Sequence, residues 1–285
     1  MAHFRYQGKR LAYTAHGRGT KTTVLMPGLL LSQKMQIPLA RELAKRGNRV
    51  ITFDPLGHGA SDRPRDMWRY SMPAFAEQAI ALLDHLEIER AVVGGTSLGA
   101  NVTLEVASMA PERLQGMLIE MPVLDNAIPA CAAVFAPMLF ALTFGEPVMN
   151  FLARASGGAT RIARSITGGE LPLLLELTLD SLAQEPGPGG AVLQGIIFGP
   201  TAPHRDQRCT FEAPALVIGH PRDPVHPFSD ADMLAAELPN AELLAADSII
   251  ELRTRPERLT RSIAEFIDRC WSEESAGAAA QAATA

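Results

Sequence analysis

Gly95-Thr96-Ser97-Leu98-Gly99 sets a serine midway between two glycines. The pentapeptide follows the apolar run Ala91-Val92-Val93-Gly94 and opens a helix-forming stretch that begins Leu98-Gly99-Ala100-Asn101-Val102. In that context the serine occupies a strand-to-helix turn so tight that its backbone is strained. The flanking glycines remove side chains that would collide there. Such a turn holds the Ser97 Oγ at the tip of a sheet. It also aims the Leu98 N–H, at a helix N-terminus, toward the place where an oxyanion would form. The chemistry on offer is nucleophilic attack on an acyl carbon. The plain alternative is a serine N-cap with glycines for close packing. A serine at its ordinary acidity is a poor nucleophile without an adjacent base, so the neighbours of Ser97 decide the matter.

The elements that must position these residues can be read from periodicity. Phe4–Tyr6 and Arg10–Ala15 read as a short antiparallel pair. Thr22–Met26, Arg49–Phe53, Ala91–Gly94 and Leu114–Ile119 read as buried strands. Ile37–Ala44, Met72–Leu86 and Leu98–Met109 have helical spacing. Strands alternating with helices at this interval predict right-handed βαβ units and a mainly parallel sheet. Residues 122–205 break the rhythm: they are apolar and helical in flavour (Ala132–Phe144, Leu171–Leu182) and are interrupted at Gly157-Gly158, Gly168-Gly169 and Pro186–Gly190. They read as a helical insertion whose Leu, Phe, Met and Ala either line an apolar cleft or pack on one another. The sheet resumes at Ala215–Gly219 and Ala241–Ala245, with helices at Asp230–Leu238 and Pro256–Trp271. Residues 273–285, rich in Ala, Ser, Gly and Glu, read as a disordered tail.

At this point the chain resembles the α/β-hydrolase superfamily over nearly its whole length. Val24-Leu25-Met26-Pro27-Gly28-Leu29 is similar to the family's oxyanion strand and loop. Asp54-Pro55-Leu56-Gly57-His58-Gly59-Ala60-Ser61 looks like its D-x-x-G-x-G-x-S turn, and Gly95–Gly99 looks like its nucleophile elbow. Residues 122–205 fall where the family inserts its cap, and Asp223-Pro224-Val225-His226-Pro227 resembles its acid loop. The resemblance implies Ser97 as nucleophile, the backbone N–H groups of Leu29 and Leu98 as oxyanion hole, and Asp223 as the acid that orients a histidine. It implies no metal and no cofactor.

Two departures stand out. Pro27 replaces a histidine that many members carry before the oxyanion glycine, which leaves the Leu29 N–H in place. More seriously, the family's base histidine follows the last strand, and counting back from Pro256-Glu257 puts Ser248 or Ile249 there. None of the seven histidines lies beyond residue 226. Several substitutes stay open. His226 lies three residues after Asp223. His58 lies in the loop after the second parallel strand, Arg49–Phe53, and His220 lies close to the end of its strand. Glu251 falls in the loop that normally holds the histidine, and Glu120 ends the strand Leu114–Ile119 and also competes with Asp223 as the acid. A carboxylate base would need its pKa raised by burial. Alternatively the triad is incomplete and the oxyanion hole alone gives slow turnover.

Composition limits the remaining classes. With 285 residues and 47% hydrophobic side chains, the chain can bury one large α/β core. A net charge of −5 gives no basic footprint for nucleic acid. Mean hydropathy is +0.07, and no apolar run is long enough to span a membrane. Cys131, Cys209 and Cys270 are far apart and make neither a disulfide framework nor a zinc site; with no signal-peptide pattern, a cytoplasmic setting is expected. No P-loop or dinucleotide fingerprint is present.

The expectation is therefore an α/β-hydrolase fold: a mostly parallel sheet flanked by helices, with core 1–121, helical cap 122–205, core 206–272 and tail 273–285. The expected activity is hydrolysis of a small or medium apolar ester through an acyl-enzyme on Ser97, with Asp223 and His226 as acid and base. The chain would act on a small-molecule ester without nucleic-acid or membrane partners, and a homodimer is allowed for. The alternatives are a ligand-binding or weakly active homologue, and lyase or isomerase chemistry in the same pocket.

Overall fold

The computed structural model describes residues 1–166 and 171–282. In chain order the elements are β1 (Ala2–Tyr6), β2 (Lys9–His16), β3 (Thr22–Met26), α1 (Ile37–Lys45), β4 (Arg49–Asp54), α2 (Met72–His85), β5 (Ala91–Thr96), α3 (Leu98–Met109) and β6 (Leu114–Glu120). A helical insertion follows, with α4 (Ile128–Phe144), α5 (Glu146–Ile166), α6 (Leu173–Leu182), α7 (Pro186–Phe198) and α8 (Arg205–Arg208). The chain closes with β7 (Ala215–Gly219), α9 (Phe228–Glu237), β8 (Ala241–Ala245), α10 (Glu251–Thr254) and α11 (Glu257–Ala282).

The eight strands form one sheet in the order β1-β2-β4-β3-β5-β6-β7-β8. β1 and β2 are antiparallel, β2 meets β4 antiparallel, and every later pairing is parallel. The central strands β3, β5, β6 and β7 are buried along their whole length. This explains their unbroken apolar runs, since helices cover both faces of a parallel sheet. One face packs Phe75, Leu82, Val102, Leu104 and Leu234 from α2, α3 and α9. The other packs Leu39 and Leu43 of α1 against Leu259, Ile263, Phe266 and Ile267 of α11.

The insertion departs from the sequence reading in two places. Pro186–Gly190 does not interrupt a helix but starts α7, because proline is well suited to the first turn, where its missing N–H costs nothing. Gly157-Gly158 lies inside α5, carried by the helix-forming residues around it. Gly168-Gly169 lies outside the described residues. The last helix also differs: it was expected to end at Trp271, with 273–285 as a tail, but α11 runs on to Ala282, in keeping with the high helix propensity of its alanines. In α4 no residue is fully buried, and Phe140 and Phe144 are 65% and 72% exposed. Among the described residues no single helix is long and apolar enough to cross a membrane.

Candidate active site

The topology gathers the chemistry at the carboxyl ends of β3, β5, β6 and β7. Ser97 follows β5 directly and has φ 54° and ψ −107°, in the left-handed half of backbone space that a side chain tolerates only under tight constraint. The constraint is visible around it. The Ser97 N–H donates to the Glu120 carbonyl at 2.9 Å, and the Gly99 N–H donates to the Pro27 carbonyl at 3.2 Å. A Cβ on Gly95 or Gly99 would stand 2.6 or 2.7 Å from the Met26 carbonyl oxygen, so only glycine lets β3 and the turn approach this closely. Leu98, the first residue of α3, has an N–H for which the helix itself offers no acceptor.

The loop between β7 and α9 brings Asp223 and His226 to the same place. Asp223 Oδ1 accepts the backbone N–H groups of Val225 (2.8 Å) and His226 (2.9 Å), which closes the loop into a turn around the carboxylate. Asp223 Oδ2 lies 2.9 Å from His226 Nδ1, and His226 Nε2 lies 2.9 Å from Ser97 Oγ. An ionised carboxylate only accepts, so Nδ1 carries the proton, and Nε2 of the neutral ring accepts from the serine hydroxyl. Burial works against the Asp223 charge, but the His226 ring and the two turn N–H groups outweigh it and hold the carboxyl below its usual range.

The other candidate bases lie elsewhere. His58 is fully buried, with Nδ1 3.0 Å from the Leu56 carbonyl and its ring edge-on to Phe75; burial, with Arg63 nearby, pushes it down to about 4. His220 Nδ1 lies 2.9 Å from the Ser248 carbonyl. Glu251 is bound by Arg258 through two contacts of 2.9 Å, and Arg258 holds its carboxyl low despite burial. Glu120 is buried beneath Ser97, where Thr96 and the Arg253 guanidinium (2.8 Å) contact it. Burial would raise its carboxyl, but the Arg253 charge, with His220 and Thr96, overrides this and holds it at about 2. None of these four has a hydrogen bond to Ser97 Oγ among the described residues. Ser248 and Ile249, where the resemblance places a base histidine, supply instead a carbonyl for His220 and an apolar wall.

Two cavities meet at Ser97, Leu29 and Phe135. The smaller, about 180 Å³, runs under α4 and α7 between Leu98, Ile128, Cys131, Leu193 and Ile196. Burial pushes the Cys131 thiol up to about 11, with Asp230 and Asp223 adding to the shift, so it serves there as a neutral wall. The larger, about 680 Å³, lies on the His226 side and includes Leu174, Leu177, Ile249, Ile250 and Arg253. The sequence offered no role for Arg253, because its partner Glu120 is far away in the chain. Among the described residues no group of His, Cys, Asp and Glu could hold a metal ion.

The strand order, the strained serine after β5 and the helical insertion after β6 agree with a known architecture. A family model described as the alpha/beta hydrolase fold matches residues 22–161. The chain has the α/β-hydrolase fold. An enol-lactonase from Burkholderia xenovorans LB400 has a similar structure, with a TM-score of 0.74 and 23% identity over 94% of this chain and all of that one. An uncharacterized protein of Mycobacterium tuberculosis is 27% identical over 279 residues, covering 92% of this chain and 79% of that protein. A poly(3-hydroxyalkanoate) depolymerase of Ectopseudomonas oleovorans is 27% identical over 230 residues, 77% of this chain and 75% of its own length.

Proposed function

We propose that this chain is a serine hydrolase that cleaves small or medium apolar carboxylic esters. The reading rests on one observation above all: two consecutive 2.9 Å contacts link Asp223, His226 and Ser97. In the proposed cycle, Ser97 Oγ attacks the ester carbonyl while His226 Nε2 takes its proton. The Leu98 and Leu29 N–H groups receive the oxyanion, a stabilisation of about 2.7–4 kcal/mol per donor in known cases. Collapse of the tetrahedral intermediate transfers the proton from His226 to the leaving alcohol and leaves an acyl group on Ser97. A water molecule, deprotonated by the same nitrogen, then releases the acid. Asp223 keeps the ring in the required tautomer and stabilises the imidazolium that forms transiently.

The helices of 122–205 act in this reading as a cap that supplies apolar walls and displaces water. The similarity to a depolymerase of a polyester and to an enol-lactonase supports ester-bond chemistry, and no metal or cofactor is required for it. The test uses p-nitrophenyl esters of graded chain length with wild type, Ser97→Ala and His226→Ala. Both variants should lose at least about 10⁴-fold in kcat, and Ser97→Ala should no longer react with a fluorophosphonate. Turnover that persists in Ser97→Ala would sink the nucleophile assignment. Absence of turnover and of labelling in the wild type would favour a binding protein.

A further inference from the structure

The Arg253 side chain is only 7% exposed, yet it forms part of the wall of the larger cavity. Its Nη2 donates to Thr96 Oγ1 and Glu120 Oε2, both at 2.8 Å. Its Nε is enclosed by protein and has no partner. Its Nη1 has no protein acceptor among the described residues, and unlike Nε it is not shut in. Glu120 therefore occupies one edge of the guanidinium and leaves another turned to the cavity. Ser97 and Arg253 line this same cavity. The wall is mostly apolar, with Leu174, Leu177, Leu182, Ile249 and Ile250, and carries Thr178, Ser181 and Glu120 as its other polar side chains besides Thr96, Ser97 and His226. A donor set in such a wall is poorly hydrated and gains more from an acceptor than it would in water.

We propose that Arg253 Nη1 is a binding site for a carboxylate carried on the leaving group of the substrate, which makes O-acyl hydroxy acids the preferred ester class. This rests on the proposed ester chemistry and sharpens it. The side of the site follows from the proton path. His226 must protonate the departing oxygen, and of the two cavities only the larger contains His226. The leaving alcohol therefore occupies the cavity with Arg253, and the acyl chain takes the smaller apolar one. Arginine suits the task because its planar cation can serve two carboxylates on different edges and stays charged in an apolar setting. Arg253 is thus a specificity residue and takes no part in proton transfer.

The test measures binding to the Ser97→Ala protein by calorimetry. The probes are butyryl esters of ω-hydroxy acids of graded length, each paired with its primary amide, which is similar in shape and uncharged. The acid of the fitting length should bind at least about tenfold more tightly than its amide. Arg253→Met should bring that ratio to about one, and Arg253→Lys should restore part of it. Equal affinity for acid and amide at every length, measured without any substitution at Arg253, overturns the proposal even if the Arg253 variants fail to fold. Turnover of neutral p-nitrophenyl esters by the wild type is scored separately, so loss of the carboxylate preference and loss of the ester chemistry can be told apart.

Discussion

At the scale of single residues, the site turns on a local trick of the Asp223–His226 turn. Because the two residues are three apart, one carboxylate both caps the turn and grips the ring. The sequence contained this signal, since Asp-x-x-His is the spacing at which an Asx-type turn folds back on itself. It did not reveal that the turn faces Ser97, which depends on how β7 sits two strands from β5. His58 was an equally legible histidine with the opposite fate, buried and held neutral. Its folded pKa of about 4 lies below the ordinary 6.5, so the unfolded chain takes up a proton first as pH falls. Stability from this group is therefore complete above 6.5 and drains away as pH falls toward 4, by about 3 kcal/mol in all. Urea unfolding at several pH values should show that slope in the wild type and a shallower one in His58→Gln. An unchanged slope would refute the assignment.

At the scale of elements, the entry to the insertion is tied to the core by a buried carboxylate, beside other contacts such as those of Lys34 with Glu176 and Asp180. Asp230, on α9, accepts the backbone N–H groups of Leu124 (2.7 Å), Asn126 (3.1 Å) and Ala127 (3.0 Å), just ahead of α4. The same α9 follows the turn that carries His226, so the insertion and the proposed base share a foundation. Replacing Asp230 by alanine would leave several buried donors unpaired and should lower the unfolding free energy by about 3 kcal/mol or more. Limited proteolysis should then cut the segment entering α4 faster than in the wild type. Unchanged cutting there would show that α4 is held by its apolar contacts alone. The strands and core helices were legible because their periodicity and burial coincide. The insertion was less so: glycine and proline mark breaks in many chains, but here tertiary packing and the first-turn preference of proline turned Pro186–Gly190 into a helix start.

At the scale of the whole molecule, the sheet separates chemistry from support. The serine, the turn and both cavities sit along the strand ends, while α1 and α11 fill a second core on one face. Ile263 is fully buried there among Leu39, Leu43 and Leu259. Ile263→Ala should cost about 2–5 kcal/mol of stability while leaving the kcat of the folded fraction near that of the wild type. A large loss of kcat without loss of stability would contradict this division. The placing of the proposed acid and base in one turn between β7 and α9 has a consequence for how the protein is made. All three residues of the proposed relay are added to the chain before β8 and α11 have been synthesised. A chain cut short after α9 would carry all three residues of the proposed relay but lack the helix that completes one core, so the proposed activity would wait on the arrival of structural residues.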